Sequence, residues 1–418
     1  MKKKLLALLL ALVMVISLAA CGAAETPAAT TAAANSAADT NNAEEQTPEV
    51  SGETLKIGLT APLTSSDTAG SEHYERGARM AVDNINAAGG INGRMLELVV
   101  YDNEALPESA AKNVTRMVEV DKVSAIVGCY LSSNVLASYE ITEAAGIMMI
   151  QGGLSPSTSN IGASYLARGA CVSNYYAEET FVTLMKNSGA EKVAVLAVET
   201  EYGQTGVADM ERLIPEFGME LAVVETFQYA DSDFTAQTTK IVAANPDAVV
   251  LYVSSGNDAI IVKQLRRAGY TGPIYGDVSV IQQDGINVAG EDANGIVGVT
   301  PFITFDTIDG YQNEEVKAVV QQYVDTYGEL PTKETMFRAY GAVMVIAEGM
   351  KNAENIDDPK SIAEAIWNLS DFQCLGATFD YSSRIGEGIT LAPAYMYVND
   401  TVQQYDQAIL EEYLASVE

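Results

Sequence analysis

Short, mainly apolar runs alternate along this chain with stretches in which apolar residues recur every three or four positions. Runs at 57–60, 96–101, 125–128 and 147–150 predict strands buried on both faces. Between them Ala78, Ala81, Val82 and Ile85 fall at i, i+3, i+4 and i+7, the stripe of one helix face, which ends at Gly89-Gly90. Further helices are predicted over 108–120 and 134–145. Runs at 194–198, 221–226, 248–253 and 274–276 then predict a second set of strands, separated by helices over 203–217, 234–244 and 259–268. Strand and helix in strict alternation imply βαβ units, and so an α/β fold whose parallel sheets carry helices on both faces.

The pattern repeats internally. Residues 96–150 and 221–275 run through the same order of strand, helix, strand, helix and strand. The stretch from Gly128 through Cys129, Tyr130, Leu131, Ser132 and Ser133 to Asn134 is matched by the stretch from Leu251 to Asn257, and Gly146 by Gly269. This is the signature of two lobes of one design. Open α/β sheets bind ligands beyond the carboxyl ends of their strands, at helix N-termini, so two lobes place two such edges across a cleft. Ser132, Ser133 and Asn134 join a strand end to a helix start, where hydroxyls and unpaired N–H groups suit a carboxylate. The same spacing suits Ser133 or Asn134 as a helix cap, and the two roles are compatible.

The amino terminus has another character. Met1-Lys2-Lys3-Lys4 precedes an uncharged run from 5 to 20 that closes on Leu18-Ala19-Ala20-Cys21. A basic head, an apolar stretch and small residues before a cut form a secretory signal, and this run falls short of the ~20 residues of a spanning helix. With cysteine after the cut it resembles the bacterial lipoprotein signal. That resemblance implies cleavage before Cys21, lipidation of its thiol, and an extracytoplasmic protein lipid-anchored to the bacterial cell membrane. Residues 22–53 contain no Leu, Ile or aromatic side chain and read as a flexible tether.

Composition removes several function classes. The 418 residues carry a net charge of -32, and loss of Lys2, Lys3 and Lys4 leaves 21 basic against 56 acidic residues, or -35. Such a surface repels phosphate, so no nucleic-acid partner is expected. After Cys21 only Cys129, Cys171 and Cys374 remain, an odd number and no disulfide framework. A single histidine, His73, leaves no second one for a His-Glu-x-x-His zinc site, and no Gly-Lys pair exists for a phosphate loop. No enzyme, metal or cofactor is expected.

Three segments carry a specific likeness: Ile57 to Thr64, Gly77-Ala78 through Asn86, and Gly89-Gly90-Ile91-Asn92-Gly93. With Tyr101-Asp102, Gly128 to Ser133 and Gln264 to Gly269 they closely resemble the leucine/isoleucine/valine-type binding proteins of ABC importers. The likeness covers nearly everything after the tether. It implies the type I periplasmic-binding-protein fold, two Rossmann-like lobes with parallel central sheets joined by three crossovers, with lobe 1 at 54–170 plus 301–391 and lobe 2 at 171–300 plus 392–418. The crossovers are expected at 168–173, at 295–301 and near Ala392.

By the same resemblance Ser132, with Ser133 and nearby N–H groups, binds a ligand carboxylate. Gly153, Leu154 and Ser155 supply a carbonyl and a hydroxyl to the ligand ammonium. Tyr202 of Tyr202-Gly203 faces them from the other lobe, and Asp277 neutralises the ammonium, with Glu201 the alternative. Two positions depart from the pattern: Ala69-Gly70-Ser71 stands where some leucine binders carry an aromatic residue, and Ser254 where they carry tyrosine. The implied function is capture of an amino acid, branched-chain or a related small zwitterion, for an ABC permease. The rival is a sensor of the same fold that reports an amide or aromatic acid to a receptor.

Overall fold

In the computed structural model the described residues are 52–64, 68–159, 161–253 and 256–417, so Cys21, most of the tether and Ser254 lie outside them. The first half of the pattern becomes β1 (Leu55–Ala61), α1 (Thr68–Ala87), β2 (Leu96–Asp102), α2 (Pro107–Arg116), β3 (Ala125–Gly128), α3 (Ser132–Ala145), β4 (Met149–Gln151) and β5 (Leu166–Arg168). These strands form a parallel sheet in the order β2-β1-β3-β4-β5. The second half becomes α4 (Asn174–Asn187), β6 (Lys192–Val198), α5 (Glu201–Glu216), β7 (Glu220–Phe227), α6 (Thr235–Ala243), β8 (Ala248–Tyr252), α7 (Asp258–Arg267), β9 (Ile274–Asp277), α8 (Gln283–Ala289) and β10 (Ile296–Val299). Its parallel strands take the same order one design later, β7-β6-β8-β9-β10.

The remaining chain serves both halves. Helices α9 (Glu314–Tyr327), α10 (Thr335–Asn352) and α11 (Pro359–Trp367) pack with the first sheet, and a small hairpin, β11 (Phe372–Cys374) and β12 (Ala377–Phe379), adds to the same core. Strands β13 (Ala394–Val398) and β14 (Thr401–Gln404) then join the second sheet, before α12 (Gln407–Val417). β13 runs antiparallel to β10 and β14 antiparallel to β13, so the second sheet is mixed rather than wholly parallel. A short connection explains the direction of β14: Asn399 and Asp400, both at positive φ, turn the chain straight back along β13.

The chain passes between the two cores three times. Ala170 packs with the first core and Val172 with the second, Val299 with the second and Phe302 with the first, and Ile389 with the first before Ala392 meets the second. Two local departures from the sequence pattern are informative. The helix predicted to run to 120 ends as α-helix at Arg116 and continues as a wider π-helical turn over Met117–Asp121, with Met117 buried under Gly58. The strand expected at 147–150 pairs from Met149 to Gln151, because Ile147 and Met148 are buried as the lead-in from α3. Cys129, Cys171 and Cys374 are all buried and unpaired.

Candidate functional site

Each sheet reverses its strand order beside its first strand, between β1 and β3 and between β6 and β8, the place where α/β sheets open a ligand crevice. The segments leaving those strands line one cavity of about 280 Å³. From the first half come Tyr130, Leu131, Ser132 and Ser133 after β3 and Leu154 after β4. From the second come Val198, Thr200, Glu201 and Tyr202 after β6, Val253 after β8, and Val278 and Ser279 after β9. The start of α10 adds Lys333, Glu334, Thr335 and Arg338.

On the first side, α3 begins at Ser132 with no side chain capping it, so the Ser132 and Ser133 N–H groups lack intrahelical partners at the cavity wall, while the Asn134 N–H already bonds the Leu131 carbonyl. This overturns the capping alternative for Ser133 and Asn134: the Asn134 amide is buried, and neither of its polar atoms meets a partner. The Ser132 hydroxyl accepts the Ser155 N–H at 3.1 Å, which ties the two ligand loops together and leaves its own O–H to donate. Gly153 makes that contact possible, since a Cβ there would lie 2.8 Å from Ser132 Oγ and 3.0 Å from its Cα. Behind the loop, buried Arg168 donates to the Ser155 carbonyl at 3.0 Å and to Thr158 Oγ1 at 3.1 Å, and it pairs with Glu387 at 2.9 Å.

On the second side the site is acidic. Helix α5 starts directly after β6, where Gly203 lets it pass the Val198 carbonyl that a Cβ would strike, and the Glu201 side chain in its first turn lines the cavity. The Tyr202 hydroxyl donates to Asp277 Oδ2 at 2.8 Å, and the Ser279 N–H donates to Oδ1 at 2.8 Å. Asp277 thus sits behind Tyr202 and Ser279 rather than on the wall. Deeper still, the Tyr252 hydroxyl donates to Glu178 at 2.7 Å. Burial, with Asp209 and Asp277 nearby, pushes the Glu178 carboxyl well above the usual range.

Of the residues expected from the sequence, Ser132, Ser133, Leu154 and Tyr202 line the cavity together, as does Glu201. Gly153, Ser155 and Asp277 lie one layer behind. The Ser155 hydroxyl is engaged with Ser157 Oγ at 2.8 Å and, across to α5, with Thr205 Oγ1 at 2.9 Å. Tyr229, Gln282, Lys333, Glu334 and Arg338 line the cavity unforeseen. Arg338 forms a buried ion pair with Glu334, donates to the Gly152 carbonyl at 2.7 Å, and lies 5.5 Å from the Tyr130 ring centre. Burial lowers the pKa of Arg338, but the facing Glu334 more than reverses this, so the guanidinium stays charged. A signal for the pair existed: Glu334 and Arg338 stand at i and i+4, one turn apart on a helix. No group of metal-ligating side chains occurs among the described residues, and no described helix is long and apolar enough to cross a membrane.

Residues 54–398 match the family model described as periplasmic binding protein. An amino acid binding protein of Pseudomonas aeruginosa is 31% identical over 314 residues, covering 74% of this chain and 81% of the relative. The leucine-, isoleucine-, valine-, threonine-, and alanine-binding protein of the same organism is 26% identical over 318 residues, 76% of this chain and 83% of that one. Among solved structures, the branched-chain amino acid transporter substrate binding protein LivJ of Streptococcus pneumoniae, in complex with isoleucine, superposes with a TM-score of 0.73. It is 27% identical, and the match covers 84% of this chain and 98% of that one. The chain belongs to the periplasmic binding protein family, a family of binding proteins rather than enzymes.

Proposed function

We propose that this member of the periplasmic binding protein family captures an amino acid, branched-chain or a related small zwitterion, outside the cytoplasmic membrane and delivers it to an ABC permease. One observation carries the reading: a cavity sized for a small molecule lies between the hydroxyls and free N–H groups of Ser132 and Ser133 and the acidic start of α5 at Glu201. A zwitterion matches that polarity end for end. Its carboxylate accepts charge-assisted hydrogen bonds at α3, and its ammonium meets Glu201, with Asp277 behind Tyr202 adding negative potential. The lobes at 54–170 plus 301–391 and 171–300 plus 392–418 close around it and expel water, which strengthens both sets of bonds. No bond of the ligand is made or broken. The names of the relatives support an amino acid as cargo. Lipidation at Cys21 holds the protein at the membrane surface beside its permease.

Mass spectrometry of the small molecules released on denaturation, followed by calorimetric titration of the amino acid found, tests the reading. A released amino acid that rebinds one to one supports it. A ligand without an amino group, or no binding across a full amino-acid panel, overturns it.

A further inference from the structure

We propose that Lys333 is the latch that holds the two lobes shut over the ligand, a positioning residue acting through carboxylates of the opposite lobe. This rests on the reading that the chain closes around a ligand. Lys333 belongs to the arm that enters α10, and α10 packs on α1 in the first lobe. Its ammonium nevertheless ends 2.6 Å from Asp284 of α8 in the second lobe, an ion pair in which the lysine side chain is only 3% exposed. Asp258 of α7 is buried beside them, its Oδ2 packed so closely on Gly285 that a Cβ there would fall 1.9 Å away. Burial raises the Asp258 carboxyl and Lys333 pulls it back down, as expected if the ammonium serves both acids.

The arm is stiff on its own side. The Thr332 N–H donates to His73 Nε2 at 3.2 Å, while His73 Nδ1 meets the Ala69 carbonyl at 2.8 Å. Two residues beyond the lysine, the Thr335 hydroxyl donates to the Gly70 carbonyl at 2.7 Å. Between these anchors the Glu334 N–H crosses the seam to Gln282 Oε1 at 3.0 Å. An arm of one lobe, anchored on its own side, therefore sets a buried cation against Asp284 of the other, at the wall of the ligand cavity. Opening the lobes pulls the ammonium away from Asp284 and breaks the buried ion pair. The ion pair thus acts on the closed state, and its loss shows in escape of the ligand rather than in entry.

The test is surface-plasmon measurement of L-isoleucine binding to the full chain, on wild type, Lys333→Met, Asp284→Asn and the double variant. Each single variant is expected to speed dissociation at least tenfold and change association less than threefold, and the double variant should be no faster than the worse single one. Additive effects, or an unchanged dissociation rate, overturn the latch. A folding role alone moves the melting temperature without separating the two rates. If neither L-isoleucine nor any other amino acid binds, the amino-acid reading falls and small-angle scattering of the ligand-free protein decides the latch separately. Lys333→Met must then shift the distance distribution toward a more open form, and identical curves overturn it.

Discussion

The two halves of this molecule share one strand order and treat charge in opposite ways. At the cavity the first sheet ends in hydroxyls and helix N–H groups, Ser132 and Ser133, with no carboxylate from β3 or β4 on the wall. The second sheet ends in Glu201 on the wall and a buried acidic layer behind it, Asp277 under Tyr202 and Glu178 under Tyr252. A duplicated scaffold thus supplies two helix starts, and the side chains beside them give the two edges of the cavity opposite polarity. Arg338 and Glu334 are the exception to this division, since the first lobe buries a whole ion pair at the wall.

The largest effect is expected where that exception is broken. Arg338→Met leaves Glu334 buried and uncompensated and should cost about 3–5 kcal/mol of stability by urea unfolding. Adding Glu334→Gln should recover most of the loss. If the second change recovers nothing, the ion pair is not what holds the start of α10.

Ser132→Ala attacks the hydroxyl side and should weaken ligand binding by about 1.5–3 kcal/mol, the range for a hydrogen bond to a charged group. Because Ser132 Oγ also accepts the buried Ser155 N–H, the unliganded protein should lose about 1–3 kcal/mol as well. Calorimetry beside thermal melts measures the two losses separately. On the acidic side, Glu201→Gln should reduce amino-acid affinity about tenfold, ~1.4 kcal/mol, and more than Asp277→Asn does. The reverse order in titration calorimetry would return the ammonium seat to Asp277.

The smallest effects are in pH dependence, and again the halves differ in sign. Burial pushes the pKa of His73 in the first lobe below the ordinary imidazole value. The unfolded chain then binds the proton more readily, so stability falls as pH drops below about 6.5 and on through the folded pKa. His73→Gln should flatten that limb of the profile. Burial raises the pKa of Glu178 in the second lobe well above that of an ordinary carboxyl, so stability falls as pH rises from the ordinary carboxyl range through the folded pKa. Glu178→Gln should raise the melting temperature at neutral pH and remove this dependence. An unchanged profile in either variant would show that the group titrates alike in folded and unfolded chains.

Much of the fold was legible because its signals are local. Ala78, Ala81, Val82 and Ile85 read directly as the buried face of α1, and the apolar runs at 125–128 and 248–252 as β3 and β8, since burial on both faces leaves no alternation to misread. The repeat of 96–150 in 221–275 predicted two like units, and both sheets carry the same order. Beyond Pro301 the reading ran out, because α9 to α12 and β11 to β14 carry no second copy of the motif to compare with.

The site divides in the same way. Ser132 and Ser133 could be placed from their position at the junction of a strand end and a helix start, and Tyr202 from the family resemblance. Which acid lines the wall could not. Glu201 opens the helix just after β6 and Asp277 ends β9, and only the packing of Tyr202 and Ser279 over Asp277 separates them. Lys333, Glu334 and Arg338 lie far along the chain from the loops they meet, and their partners Asp284, Gln282 and Gly152 belong to other elements. Periodicity by itself determined the α/β design and its two helix starts, because those depend on side chains within a few residues of each other. The charge at the cavity wall and the contacts across the seam were decided only by the tertiary structure, because the burial that makes an ion pair matter exists only once both lobes enclose it.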